Sequence, residues 1–144
     1  MSAKVNRILD NLILLLRQID VTMDPGTWNT RPRMVERGLR GAAVTMRPSL
    51  TVMMGPWVDS LFSGGIHRTN GRVLINCFAT NERELNELVR DVLRAVTQAE
   101  DDTLGGEVIQ SYTDATYTPE SQEDTLAVAI LDIGMLWEWR HDSP

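Results

Sequence analysis

Residues 71–100 read GRVLINCFATNERELNELVRDVLRAVTQAE and carry the clearest structural signal in the chain. Their first part, residues 72–79, is a short apolar run rich in β-branched and aromatic residues, which is typical of a buried strand. Asn70 and Gly71 precede this run and form a pair that favours a tight turn. The sequence therefore predicts a strand that begins at Arg72, directly after a turn.

A helix is predicted to follow that strand without a long connection. Asn81 and Glu84 have the three-residue spacing of a capping box. Apolar residues then recur at helical spacing, at Leu85, Leu88, Val89, Val92, Leu93 and Val96. A single apolar stripe of this kind indicates a helix that lies with one face on a sheet. The strand and helix together predict a fold of the α+β class, and they imply no chemistry.

The composition is that of an ordinary globular protein. The chain has 144 residues, of which 42% are hydrophobic and 24% are charged, so we predict a single domain over residues 1–144. No apolar run approaches the roughly 20 residues needed to span a bilayer, and the N-terminus lacks the pattern of a signal peptide. We therefore expect an intracellular protein without membrane contact. The single cysteine, Cys77, is expected to be a buried small hydrophobe.

The charges are distributed unevenly along the chain. Residues 1–99 hold 13 Arg or Lys and 9 Asp or Glu, whereas residues 100–144 hold one Arg and 11 acids, giving balances of +4 and −10. Such a distribution can steer copies of the chain to associate head to tail, or match oppositely charged partners at two ends. The alternative is that the acids only solvate exposed loops.

The remaining chain is predicted to supply one more helix and several strands. The first helix covers residues 2–19, with Ser2 as its cap and a broad apolar face that packs on the core or also on a neighbouring subunit. Strands are predicted at residues 44–46, 49–54, 107–112 and 125–139, and a polar loop at residues 113–124. Gly55 and Pro56 are predicted to end the second strand. The result is one α+β domain with a mostly antiparallel or mixed sheet packed by two main helices.

No pattern of catalytic or metal-binding residues is present. His67, His141 and Cys77 do not form a ligand pair, and no nucleophile motif or phosphate-binding glycine loop occurs. Asp101 and Asp102 are grouped with Glu107, but a solvated turn explains them simply. We therefore predict a protein that is not an enzyme and that holds no metal or cofactor.

Three groups of residues are candidates for a subunit or partner interface. The first is a set of arginines offset only by Glu36, namely Arg31, Arg33, Arg37, Arg40 and Arg47. They could contact nucleic acid, but the acidic chain, with a pI near 4.8, favours pairing with acids of a neighbouring copy. The acids considered are Asp101, Asp102, Glu120, Glu123 and Asp124. Trp57 is the third candidate, as an apolar anchor, with core packing as its alternative.

The order of these features resembles a known family. An amphipathic N-terminal helix leads to an arginine-bearing segment and then to a strand introduced by Pro48. A second strand runs into a capped helix of the form ExxLxxLVxDVLxAV at residues 82–96, and a polar loop and a long strand close the chain. In size and element order the chain resembles the tail terminator proteins of long-tailed bacteriophages, also called tail completion or minor tail protein U-like proteins.

The resemblance implies a structural protein of the virion. Its expected partners are other copies of the chain in a ring, as a hexamer, the tail tube protein, and a head–tail connector or head-completion protein. The ring would cap the tail tube at its head-proximal end, stop tube polymerisation and present the head–tail joining surface, after assembly in the host cytoplasm. DNA would pass through the lumen without sequence recognition, and no cofactor or catalysis would be involved.

Two alternatives to a tail terminator stay open at this point. One is another neck component, such as a head-closure or adaptor protein. The other is a small ligand-binding module or enzyme in which Trp57 and a loop at residues 64–71 line a pocket. A deep apolar pocket with convergent polar groups would favour this second alternative. For the ring, reversal of Arg33 and Arg37 to glutamate is expected to weaken subunit association.

Overall fold

The structure is a computed structural model that describes residues 1–19, 32, 34–38, 46–123 and 125–141, without the side chains of residues 2, 99–102 and 121–123. Two helices and five strands follow in the order α1 (Ser2–Arg17), β1 (Met34–Arg37), β2 (Ser49–Ser63), β3 (Ile66–Ala79), α2 (Glu82–Gly106), β4 (Ala115–Glu123) and β5 (Leu126–Arg140). The sheet has the order β1-β2-β3-β5-β4. Only the β1–β2 pair is parallel among these neighbours. The predicted α+β class with a mixed sheet is confirmed.

The core lies between the two helices and one face of the sheet. Val73, Ile75 and Cys77 alternate along β3 on that face and are fully buried. The apolar stripe predicted for α2 is buried in this core, with Leu93 partly buried at its border. Cys77 is the buried small hydrophobe that was expected, and burial raises the pKa of its thiol to about 12.

The start of α2 is the capping arrangement that its sequence predicts. The Asn81 side chain accepts a hydrogen bond from the Glu84 N–H at 2.9 Å, and the Glu84 carboxylate accepts one from the Thr80 N–H at 3.0 Å. The helix is interrupted where its acids and glycines predict a stop, because residues 103–105 adopt left-handed backbone conformations. The cap predicted for α1 is wrong: Ser2 is its first helical residue, and the N-cap position is Met1, which has no side-chain acceptor.

Gly71 lies inside β3 rather than in a turn, so the predicted turn is wrong. β3 starts at Ile66. The turn that joins β2 to β3 is formed by Gly64 and Gly65, which both have positive φ. Gly71 has a different purpose, since a Cβ there would overlap the indole ring of Trp137 on β5. Glycine is thus required at position 71 by close packing between strands. An Asn-Gly pair in the sequence does not show whether its glycine serves a turn or such packing.

The predicted end of the second strand is also wrong. β2 passes through Gly55 and Pro56 with a register shift between Met54 and Trp57, and it continues to Ser63. Proline is compatible with a strand at an irregularity of this kind, where its missing N–H breaks no ladder hydrogen bond. The sheet is consequently much longer along β2 and β3 than the sequence predicts.

In the last third of the chain, one predicted strand is confirmed and two predicted segments are wrong. The long final strand is present as β5, but residues 107–112 form only an isolated bridge between Gln110 and Leu136 instead of a strand. The predicted loop at residues 113–124 is largely β4, with a register shift between Pro119 and Ser121. β4 is an edge strand, and its described side chains, at residues 115–120, are mostly exposed, so they lack the apolar alternation that marks a half-buried strand. Of the strand predicted at residues 44–46, only Met46 is described, and it lies in a bend.

Candidate functional site

The outer halves of three strands form the candidate site, which we call the arm. It consists of residues 56–63 of β2, 66–70 of β3 and 136–140 of β5, and these strands pair side by side, with Val58 opposite Asn70 and Asn70 opposite Leu136. Every residue from 56 to 63 is exposed, so neither helix covers this part of β2. Beyond the end of its pairing with β1, the outer edge of β2 also has no neighbouring strand among the described residues.

Four large apolar side chains of β2 are exposed on the arm. Their exposed fractions are 47% for Trp57, 68% for Val58, 68% for Leu61 and 58% for Phe62. Trp57 is paired with Gly71 and Leu61 with His67, which puts both on the face of the sheet that carries the helices elsewhere. Val58 is paired with Asn70 and belongs to the opposite face. The arm therefore exposes apolar groups on both of its faces.

The opposite face also carries an ion pair within the arm. The Arg68 guanidinium donates to the Glu138 carboxylate at 2.7 and 3.2 Å. The guanidinium carbon also lies 4.2 Å from the ring centroid of Phe62, a cation–π geometry. Arg68 therefore links β3 to the exposed apolar side chain of β2 and to β5.

A polar cluster joins the strands of the arm on the helix-side face. Asp59 Oδ2 lies 2.6 Å from His67 Nδ1, and Asp59 Oδ1 accepts hydrogen bonds from Thr69 Oγ1 at 2.6 Å and from Trp139 Nε1 at 3.0 Å. The His67 ring stacks on Trp139 with centroids 4.1 Å apart, and its Nε2 lies 3.0 Å from His141 Nδ1. The cluster thus connects β2, β3, β5 and the residue that follows β5.

The pKa of the Asp59 carboxyl lies below its ordinary value. Burial acts to raise this pKa, but hydrogen bonds donated by Thr69, His67 and Trp139 favour the ionised form and outweigh that effect. Asp59 is therefore a carboxylate that holds the arm together at neutral pH.

The cluster has no nucleophile next to its histidine. Both ring nitrogens of His67 have partners, and the Thr69 hydroxyl donates to Asp59 rather than to His67. A nucleophile and a base within hydrogen-bond reach are the signature of covalent catalysis, and this cluster does not have it. In the part of the chain that the structure describes, no three His, Cys, Asp or Glu side chains are grouped to hold a metal ion. The contacts of the cluster connect neighbouring strands.

An open cleft of about 290 Å³ lies at the base of the arm. Its lining includes Pro56, Trp57, Val58, Gly71 and Met135. A volume of this size lies at the lower limit for pockets that hold drug-sized ligands.

The structure places the predicted interface residues in different regions. Arg31, Arg33, Arg40 and Asp124 lie outside the described residues. The backbone of Asp101 and Asp102 belongs to α2 and that of Glu123 to β4, but their side chains are not described. Glu120 is an exposed residue of β4, and Trp57 is exposed on the arm.

The two described arginines of the predicted set have partners within the chain. Arg37 donates to the Asn6 side chain at 2.9 Å and to the Asn6 carbonyl at 2.6 Å, and it lies 3.1 Å from an Asp10 carboxylate oxygen. It therefore fastens β1 to α1. Arg47 donates to the carbonyl of Thr125, directly before β5. Neither contact involves the acidic residues that the sequence suggested as partners.

Sequence reasoning missed most of the arm. Val58, Leu61 and Phe62 lie in a stretch that received no assignment, and Asp59 and His67 were not connected with one another. A signal was nevertheless present, since the β-branched and aromatic residues after Pro56 are bounded by Gly64 and Gly65, the pattern of a hairpin.

Comparison with known proteins does not add a relative. No protein-family model matches the chain, and no similar curated protein was found. Within the described residues, none of the helices is long and apolar enough to cross a membrane. The arm is thus the main structural feature on which a functional proposal can be built.

Proposed function

We propose that this protein is a self-associating structural protein of the phage tail terminator kind. It forms a ring that caps the tail tube, ends tube polymerisation and provides the surface for joining the head. Its partners are further copies of the chain, the tail tube protein, and a head–tail connector or head-completion protein, and DNA passes through the ring. The observation that supports this function best is the arm with four exposed apolar side chains.

Exposed apolar side chains on an arm are typical of an assembly protein, because their burial against a partner is energetically favourable. Monomeric soluble proteins rarely expose large contiguous apolar patches, and such patches mark interaction sites. The Asp59 cluster and the Arg68–Glu138 pair also link the strands of the arm to one another. A surface whose strands are linked in this way loses less conformational entropy on binding, so more of its contact energy contributes to affinity.

The geometry supports the ligand-binding and enzyme alternatives less well. The loop predicted at residues 64–71 is a two-glycine turn followed by a strand, and of this segment Asn70 and Gly71 line the cleft with Trp57. The cleft beside Trp57 is open and small, and the polar cluster of the arm has no activated nucleophile. Another neck component would use the same surface features, and only its partners distinguish it from a terminator.

The proposed function is tested by mixing the purified protein with purified tail tubes and with polymerising tube protein. Light scattering gives the mass of the complexes, and electron microscopy shows their shape and position. We expect rings whose mass is a multiple of 16.2 kDa, bound at one end of the tubes, and an arrest of tube growth. A protein that stays monomeric both alone and with tubes would contradict the proposal. Binding to a head connector without any effect on tube growth would identify another neck component.

A further inference from the structure

The outer edge of β2 in the arm has two properties that point to the same kind of contact. Its apolar side chains lie on both faces of the sheet, Trp57 and Leu61 on one and Val58 and Phe62 on the other. A partner that lies flat on one face can cover only half of them. A partner that approaches the edge can contact both faces and can also pair with backbone groups of β2 that have no strand partner among the described residues.

The sheet has an edge at β4 and another at the part of β2 that extends beyond β1, and these two edges differ in how well they are protected against such contacts. β4, at one end, is interrupted by Pro119 with a register shift, and it carries acidic residues such as Glu120. Natural proteins use proline, irregular pairing and charge to prevent edge-to-edge association. From Trp57 to Ser63, β2 has one acidic residue, Asp59, and this residue is bonded within the arm. The edge of the arm is the less protected of the two.

We infer that this edge of β2 binds a second copy of the chain, so that the arm is a contact between subunits. This inference deepens the proposed function and rests on its claim that the protein self-associates. In the contact, Leu61 and Phe62 at the tip of one arm pack against Trp57 and Val58 at the base cleft of another copy. One arm thus supplies both the inserted side chains and the surface that receives them.

The exposed apolar side chains supply part of the area that a subunit contact requires. The exposed fractions of Trp57 and Phe62 alone correspond to roughly 160–260 Å², since one aromatic side chain carries about 150–250 Å². A standard interface takes about 800 Å² from each partner, so these two side chains supply about a fifth to a third of one side, and Val58 and Leu61 add to it. The backbone edge and the neighbouring residues of β3 supply further area.

The charges of the arm favour a partner of similar apolar character. Arg68 is paired with Glu138, and Asp59 with His67 and its hydrogen-bond donors, so covering the arm does not isolate these charges from their partners. Burial of an unpaired charge is what opposes association at an apolar surface.

Proximity of the arms is tested by cross-linking through a single introduced cysteine. The native Cys77 is buried, so Ser60→Cys, at an exposed position of the arm, provides the accessible thiol. A short bis-maleimide is expected to convert Ser60→Cys into covalently linked copies, both in free protein and on tail tubes. The matched control is Asn86→Cys, an exposed position on α2, which is expected to give no such product. Links from Ser60→Cys to tube protein, and none between copies, would overturn the inference.

The energetic contribution is tested by one change on the arm and the same change elsewhere. Leu61→Asp puts a charge on the arm, whereas Leu14→Asp makes the same change at a leucine of α1 that is 55% exposed. We expect Leu61→Asp to weaken self-association by at least about tenfold in sedimentation, and Leu14→Asp to leave it unchanged. Circular dichroism checks that both variants are folded.

The two tests separate failure of the inference from failure of the proposed function. If the wild-type protein assembles while Leu61→Asp assembles equally well and Ser60→Cys gives no link between copies, the arm contact is wrong and the proposed function stands. If the wild-type protein does not self-associate, alone or on tubes, both are wrong. Cross-linking does not depend on Leu61, so poor folding of Leu61→Asp would leave an independent result.

Discussion

Gly71 lies beneath the indole ring of Trp137, where the two residues join the inner and outer parts of the sheet. A Cβ at this position would overlap the ring, which is fully buried. Overfilled packing of this kind forces strain on the surrounding side chains and backbone.

We therefore expect Gly71→Ala to lower the free energy of unfolding by about 1–3 kcal/mol. Urea denaturation followed by tryptophan fluorescence measures this change. Asn70→Ala is the control, because Asn70 is the exposed neighbour in the same strand and should stay within about 0.5 kcal/mol of the wild type. Equal stability of the two variants would show that Gly71 and Trp137 are not in close contact.

Asp59 makes the stability of the arm depend on pH in the acid range. Its pKa in the fold lies below that of the unfolded chain because, despite the opposing effect of burial, Thr69, His67 and Trp139 donate hydrogen bonds to the carboxylate. A lowered pKa means that the carboxylate stabilises the fold above its unfolded pKa of about 3.9, and that this contribution disappears as the pH falls through the folded value.

Because the pKa of Asp59 is lowered in the fold, we expect Asp59→Asn to be less stable than the wild type near neutral pH. The difference should shrink as the pH falls below about 4. Thermal unfolding across that pH range measures it, with Glu36→Gln, a change at an exposed carboxylate of β1, as the control. A difference that stays constant from neutral to acid pH would mean that the Asp59 bonds do not require its charge.

Among the secondary-structure elements, β1 depends most clearly on a side-chain contact. It has only four residues, and Arg37 at its end binds the Asn6 carbonyl and the side chains of Asn6 and Asp10 on α1. The Arg17 guanidinium of α1 also donates to the Val35 carbonyl at 3.0 and 3.2 Å. A substitution of Arg37 is therefore expected to change the stability of the subunit itself, so a change in assembly would not by itself place Arg37 in an interface.

We expect Arg37→Gln to lower the free energy of unfolding by about 1 kcal/mol, the typical contribution of a charged hydrogen-bonding group at a partly exposed site. Arg83→Gln is the control, because Arg83 is largely exposed and lies 3.8 Å from Glu87, a pair expected to contribute little. Chemical denaturation compares the two variants. If they lose the same amount of stability, Arg37 does not fasten β1 to α1.

For the whole molecule, the arm and the uneven charge predict different responses to salt. Apolar contacts do not weaken with ionic strength, whereas electrostatic steering between oppositely charged regions is screened. We expect high salt to slow the association of subunits and to leave the final assembled mass unchanged. Stopped-flow light scattering measures the rate, and sedimentation measures the mass. Dissociation at high salt would show that charge pairs, rather than the arm, hold the copies together.

The elements predicted correctly share a strong local pattern. α2 has both a capping pair and a regular apolar stripe, and β5 is a long run with alternating burial, so each could be recognised without knowledge of its neighbours. β4 and the outer part of β2 are exposed, so neither shows the alternation of buried and exposed residues that marks a half-buried strand. Their strand conformation comes from pairing with the neighbouring strands β5 and β3, and each pairing contains a register shift that a local pattern does not predict.

The candidate site was predictable only in part for the same reason. Trp57 was predicted as an apolar anchor because tryptophan is enriched among the residues that dominate binding at protein surfaces. Asp59, His67 and Trp139 are separated by up to 80 positions, and only the register of three strands brings them together. Arg37 was recognised as an arginine in a basic segment, but its partner in α1 depends on where β1 packs.

The amino-acid sequence by itself determined the fold class, the core strand and helix at residues 72–96, and the burial of Cys77, because periodic apolar patterns specify which face of an element avoids water. The tertiary structure alone decided that Asn70 and Gly71 continue a strand, that β2 runs through Pro56, and that the arm leaves Trp57, Val58, Leu61 and Phe62 uncovered. The physical reason is that strand register and exposure depend on contacts between distant segments, and a local pattern cannot encode which segment will lie opposite another.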